Sequence, residues 1–441
     1  LTLILEHGLW ESQALEAAGA LVSKYKEKTR AGFEVEETTL ADRKWLLLKQ
    51  AGEEKIFVTG EGALIFAGNQ RAAVEECMLA AKSSEKSILS DPALSGEIAG
   101  SKKEGAKAFG YLTRKGMEGL ADILSVYWAI EADEDETSRS LTAALLPNLI
   151  KNTIVSVDWN LYQKENGVED VFSFKTEEKF AAAIAQTVLA GPAEAKIADD
   201  LPELKGVDSA TEYNLKDPQL AWRGLTLSLA SQTEDRIKAA LLQGAAGQLL
   251  APYGIRDPEL FLASVKGRIL LLRFDEEGDE TAVIAEVKDK ENLTRSLAGA
   301  KTNGNALADG KVFELEDTQT TAVFVRERVA VGERDNVVKL NEALAALPEG
   351  QSLRIFPVNS EAGKDEVGAV AVTANYDRSA AKIARWFSKT EEINQADDSP
   401  PQSVVFTKTI ITPTGFQRRS ISAYGFTGTL LEMALEGATQ R

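Results

Sequence analysis

Glu34 and Glu36, and again Glu314 and Glu316, stand two apart in strand-like runs. Residues at that spacing share one face of a strand, with their side chains about 6–7 Å apart. Such a separation suits inverting glycoside hydrolysis if one carboxyl is desolvated and held protonated. The apolar Phe33, Val35, Phe313 and Leu315 occupy the alternate positions, which gives the core to the other face and points the glutamates at water. Trp159, within Asp158-Trp159-Asn160-Leu161-Tyr162, could lie on a sugar ring, and Arg418-Arg419 could bind a carboxylate or phosphate. The ordinary reading of these residues is surface aromatic packing and a solvated strand end.

Other chemistries are closed off by residue type. His7 is the single histidine and Cys77 the single cysteine, so neither a His-rich zinc site nor a cysteine cage can form. Cys77 falls on one helical face with Ala73, Val74, Met78 and Ala81, the position of a buried apolar thiol. Gly60-Glu61-Gly62-Ala63-Leu64-Ile65 begins like a dinucleotide fingerprint, but Ile65 takes the place of the last glycine and the segment reads as a turn between two strands. No phosphate-binding Gly-x-x-x-x-Gly-Lys-Ser/Thr loop occurs, and Asp133-Glu134-Asp135-Glu136 lacks the glycine and glutamate of a calcium loop. No metal or other cofactor is expected.

The elements that must position these residues are hairpins and helices. Arg268–Phe274 and Thr281–Val287 flank the charged turn Asp275-Glu276-Glu277-Gly278-Asp279, which predicts a hairpin. Lys290–Ala300 reads as a helix, Val312–Asp317 and Thr321–Glu327 as strands, and Val337, Val338, Leu340 and Leu344 as the apolar face of a second helix. Adjacent hairpins with helices laid across them predict an α+β fold: antiparallel sheets from β-hairpins with helices packed on one face, internally duplicated. The duplication is read at a long offset. Leu3–Glu6 resembles Val283–Glu286, Gly32–Glu36 resembles Gly310–Glu316, and Phe57-Val58 recurs as Phe324-Val325. Both copies close on a hairpin and a helix, with turns at Glu165-Asn166-Gly167 and Pro413-Thr414-Gly415. The expected division is 1–195, a first repeat truncated at its N-terminus, and 207–441, a second and more complete repeat with a sub-boundary near 350. Pro192 and Pro202 break the periodicity between them. By comparison of the copies, Leu1 begins at the second strand of a hairpin. On that comparison the natural protein is expected to continue upstream by on the order of 70 residues or more, with some strand neighbouring Leu1–Glu6 absent or replaced by another chain segment.

Composition narrows the function. The 441 residues carry 50 Lys+Arg against 68 Asp+Glu, a net charge of −18 with 44% hydrophobic residues. A balance so acidic argues against a nucleic-acid binder and against adsorption to anionic lipid, whose affinity comes from basic residues. Its apolar content suffices for real cores. No run reaches the roughly 20 apolar residues of a membrane span, so no transmembrane segment is expected.

Asp257-Pro258-Glu259-Leu260-Phe261-Leu262, Gly267-Arg268-Ile269-Leu270-Leu271 and Val283-Ile284-Ala285-Glu286-Val287-Lys288-Asp289 resemble a family of uncharacterised, duplicated envelope or secreted proteins of bacteria, chiefly over Leu250–Leu347. The resemblance implies an extracytoplasmic (periplasmic or envelope-associated) location and supplies no catalytic residues. Taken together, these features lead to a non-enzymatic extracytoplasmic protein that binds an unknown protein or small-molecule ligand between its halves. The alternatives are a carboxylate-dependent enzyme such as a glycoside hydrolase, and a structural or assembly module with large apolar surface patches.

Overall fold

A computed structural model of the chain describes residues 2–6, 33–40, 42–50, 53–62, 64–68, 70–82, 92–117, 150–165, 167–191, 206–231, 250–275, 280–297, 308–315, 319–347, 368–378 and 404–429, with a few isolated positions besides. It forms two compact units. One comprises Leu1–Gly105 with Ser379–Asp397 and Phe426–Arg441, the other Ala106–Arg378 with Asp398–Gly425.

In the first unit β1 (Thr2–Glu6), β2 (Phe33–Leu40), β3 (Arg43–Gln50), β4 (Glu53–Glu61) and β5 (Leu64–Gly68) form an antiparallel sheet in the order β1-β5-β4-β3-β2. Tight turns join its hairpins, with Asp42 and Gly62 in the left-handed conformation such turns demand. Helix α1 (Arg71–Lys82) sets buried Val74 and Met78 on Trp45, Leu47, Phe57 and Phe66. The opposite face of the sheet buries Leu46, Val58 and Ile65 with Leu15. Helix α2 (Pro92–Lys103) completes the described elements. The Gly60–Ile65 segment is thus the expected turn, and Cys77 is a free thiol packed at the edge of the α1 core.

The second unit runs β6 (Ala108–Leu112), β7 (Ile154–Lys164), β8 (Gly167–Thr176), α3 (Glu178–Thr187), β9 (Ser209–Asn214), α4 (Pro218–Ala230), a 3₁₀ turn (Ala251–Tyr253), α5 (Pro258–Ser264), β10 (Val265–Arg273), β11 (Thr281–Val287), α6 (Lys290–Ser296), β12 (Val312–Glu314), β13 (Thr320–Val325), β14 (Arg328–Glu333), α7 (Arg334–Ala346), β15 (Ala369–Tyr376), β16 (Val404–Thr412) and β17 (Gly415–Ser422). Its strands make one antiparallel sheet in the order β12-β13-β14-β11-β10-β9-β15-β16-β17-β8-β7-β6. The α+β class with antiparallel sheets is the one expected, and β10 and β11 form the expected hairpin, Leu271 opposite Val283. Helices α4, α5 and α6 each start on an aspartate whose carboxylate accepts from a backbone N–H in the first turn, Asp217 from Leu220, Asp257 from Leu260 and Asp289 from Asn292.

The helices cover both faces of this sheet, where one face was expected. Alternation within β10, β11, β13 and β14 is apolar on both sides. Leu272, Ala282, Ile284, Val323 and Ala330 pack against Val337, Leu340 and Leu344 of α7. Ile269, Val283, Ala285, Phe324 and Val331 pack against Phe261 of α5 and Leu293 of α6. Strands buried on both faces need a layer on each. Val338, expected on the apolar face of α7, points outward and is 39% exposed.

The segment between residues 195 and 207 does not part the sheets. β8, from before it, pairs with β17, from after it, Phe172 opposite Arg418 and Phe174 opposite Phe416. The two hairpins expected to close separate halves are therefore neighbours in one ladder. A further likeness holds within each sheet taken alone. Leu3 stands opposite Ala67 and Val283 opposite Val331; Phe57 stands opposite Gly68 and Thr321 opposite Gly332. Ladder position thus equates Phe57 with Thr321 rather than with Phe324.

Candidate functional site

The structure separates the glutamates read as possible acid pairs. Glu34 and Glu36 are exposed on β2, and Glu36 takes the Lys49 Nζ at 2.6 Å, with Glu54 at 4.0 Å from the same ammonium. These contacts raise the Lys49 pKa, the hydrogen bond to Glu36 contributing most. Glu314 is exposed on β12 and meets Arg334 at 2.6 Å; Glu316 lies outside the described residues. Nor are the pairs equivalent. β12 flanks β13 as β3 flanks β4, so Glu314, opposite Thr321, takes the ladder position of Leu47, opposite Phe57. The first sheet has β2 as a strand beyond that place.

Trp159 is a packing residue on β7. Its indole Nε1 donates to Asp170 Oδ1 at 2.6 Å and its ring lies 6.3 Å from Phe172. It also fills the space a Cβ would need at Gly110, its partner on β6. Asp158 and Asn160 are buried on the opposite face of the same strand. Arg418 and Arg419, adjacent in sequence, point to opposite faces of the sheet, as successive strand residues must. Arg419 accompanies Gln417, whose Oε1 accepts from its Nε at 2.9 Å, and lies 4.0 Å from Glu169. Arg418 is on the other face, together with Phe416.

That other face holds a cavity of about 720 Å³ within the second unit. Its floor is the sheet: Ile269 and Leu271 on β10, Thr211 and Tyr213 on β9, Ala371 and Thr373 on β15, Thr409 on β16, and Phe416 and Arg418 on β17. Its roof is Phe180 and Ile184 of α3, Ala221, Trp222 and Leu225 of α4, and Phe261 of α5. The floor is built of small residues at its centre, and Thr211 and Thr373 tie their hydroxyls together at 3.0 Å. Threonine and alanine there leave the volume that leucine or phenylalanine would fill. One end is closed, with Ile255 fully buried and Phe261 1% exposed; the other reaches water at Tyr213, 39% exposed, and at exposed Arg418.

Arg418 is the one charged residue of the lining among the described residues. The carboxylate one pair along on its face, Asp170, is engaged by the Trp159 indole, and no ion pair joins it to Arg418. Burial among apolar walls pushes the Tyr213 phenol above the ordinary tyrosine value, against the opposing pull of Arg273 and Arg418. Burial likewise raises Tyr253, against Arg273 and a hydrogen bond with Thr281. Both phenols are therefore neutral hydrogen-bonding groups at neutral pH. Among the described residues no three His, Cys, Asp or Glu side chains gather as a metal set, and no helix is long and apolar enough to cross a membrane.

Sequence reasoning reached Arg418 but not the cavity, because its floor comes from strands contributed by residues as far apart as Thr211 and Thr409. Comparison of the chain with protein-family models, curated proteins and solved structures finds no match.

Proposed function

We propose that this protein is a binding protein whose second unit takes a small apolar ligand into the cavity between its sheet and helices α3, α4 and α5. The observation that carries this reading is the cavity's size in a close-packed fold. Interiors leave few voids larger than a water molecule, whereas ligand sites run from about 300 to 1,000 Å³ and this one is about 720 Å³. The space opens to water at one end, and its mostly aliphatic and aromatic walls offer a filling water few of the two to four polar partners it wants. A ligand with apolar surface covers those walls.

The roof takes α3 from before the segment 195–207 and α4 and α5 from after it, so the cavity sits where the two stretches of chain meet. The glycosidase reading lacks support from geometry: Glu34, Glu36 and Glu314 are exposed, two of them in ion pairs, and none lines the cavity. An extracytoplasmic bacterial setting belongs to the same reading and rests on the resemblance of the Leu250–Leu347 strands to envelope proteins.

Titration with the neutral fluorophore N-phenyl-1-naphthylamine tests the binding function. Saturable binding at one site per chain, lost when Ala371→Trp fills the floor, is the expected result. Equal binding by wild type and the folded variant would overturn it.

A further inference from the structure

The cavity has an unequal distribution of charge along its length, and this bears on which ligands it takes. Its closed end, around Ile255, Phe261 and Leu262, offers only apolar surface. Its open end brings together the guanidinium of Arg418, the phenol of Tyr213 and the hydroxyls of Thr373 and Thr409. Thr409 is the register partner of Arg418 on β16, and Ala371 the partner of both Thr409 and Tyr213 on the strands between. Arg418, Thr409, Ala371 and Tyr213 therefore form one row across four strands at the same level of the sheet, with Thr373 two residues along β15. Among the described residues no aspartate or glutamate lines the space, although the chain as a whole carries a charge of −18.

A guanidinium beside aromatic rings, with no ion-pair partner and no acid in the lining among the described residues, suits an anion better than any neutral group. One arginine supported by hydroxyl and phenol donors matches a single carboxylate, whose two oxygens can take the guanidinium fork. We infer that the cavity holds a long-chain fatty acid, its carboxylate on Arg418 at the mouth and its chain running under α3 and α4 toward Phe261. The inference rests on the proposed binding function and adds the class of ligand. A charged head at the mouth stays partly in water, so its desolvation is small, while the chain is removed from water along its length.

The test compares two ligands with the same chain, dodecanoate and dodecanol, as competitors of the bound naphthylamine. The expected result is that wild type prefers dodecanoate by at least about tenfold, the size of a charge-assisted hydrogen bond. Arg418→Gln abolishes that preference by weakening dodecanoate alone, and Arg418→Lys keeps part of it. Arg419→Gln, a change on the opposite face of β17 outside the lining, leaves the preference as it was. The Arg418 variants change an exposed side chain, and unaltered dodecanol binding shows that the cavity survives. If dodecanol competes as well as dodecanoate and Arg418→Gln changes nothing, the fatty-acid assignment falls while the binding cavity stands. If Arg419→Gln is the change that removes the preference, the placement of the head group on Arg418 is overturned. If neither compound nor the naphthylamine binds, the binding function itself is refuted.

Discussion

At the scale of single residues, the side chains that pair or pack are those whose neighbours on the sheet complete them. Glu61 accepts from both Arg43 guanidinium nitrogens, at 2.7 and 3.1 Å, and lies 2.6 Å from Lys82. The hydrogen bond from Arg43 is the main cause of its lowered pKa. A carboxylate depressed in the folded state adds stability above its unfolded pKa and loses it as pH falls through the folded one. Glu61→Gln is therefore expected to cost about 1 kcal/mol at neutral pH, the upper end for a partly exposed pair. In urea unfolding of variant and wild type, that difference shrinks once the pH falls below the ordinary glutamate range; a constant difference would contradict the pairing. Trp159→Phe removes a donor from the buried Asp170 carboxylate, which is 2% exposed, and is expected to cost about 1–3 kcal/mol. A lowered unfolding midpoint with naphthylamine binding retained is the expected pattern. An indole serving only as a sugar platform would leave the midpoint where it was.

At the scale of elements, the roof of the cavity depends on how closely α3 and α4 cross. Gly224 of α4 lies against the side chain of Thr187 of α3, and a Cβ there would collide with it. Gly224→Ala improves helix propensity by about 1 kcal/mol, but forced overpacking costs about 1–3 kcal/mol. The net expectation is a destabilised variant with weakened naphthylamine binding, since the wall moves with α4. A more stable variant with unchanged binding would show that the crossing is loose. Helices α4 and α5 open alike, Asp217-Pro218 and Asp257-Pro258 each pairing a capping carboxylate with the residue that best begins a helix. β12 was readable only as a strand. That it flanks β13 as β3 flanks β4 depends on ladder register, which apolar alternation leaves open.

For the whole molecule, the two units have separate sheets and separate cores, so two cooperative transitions are expected in calorimetry rather than one. A ligand that binds only the folded second unit raises its transition alone, by about 2.7 kcal/mol of stabilisation at a hundredfold excess over Kd. Dodecanoate moving both transitions together, or neither, would contradict a cavity confined to that unit. β1 with β5 and β11 with β14 pair in a like register, a likeness of two antiparallel ladders that does not establish the duplication read along the chain. Residues 195–207 do not mark a boundary between sheets, because β8 and β17 lie side by side.

What the sequence by itself determined was local or compositional. Turn residues marked the hairpins, alternation marked the strands, and the single histidine and single cysteine removed whole classes of chemistry. Glu34 and Glu36 are exposed as read, but Glu36 lies opposite Leu47 on the face that carries the α1 core, so the edge position of β2, and not alternation alone, leaves them in water. Tertiary structure alone decided that Arg418 and Arg419 serve opposite faces with different company. It also decided that the small side chains of Thr211, Ala371, Thr373 and Thr409 meet under three helices. A side chain's direction follows from the backbone's period of two, but the volume left between layers is a sum over residues brought together only when distant strands pair.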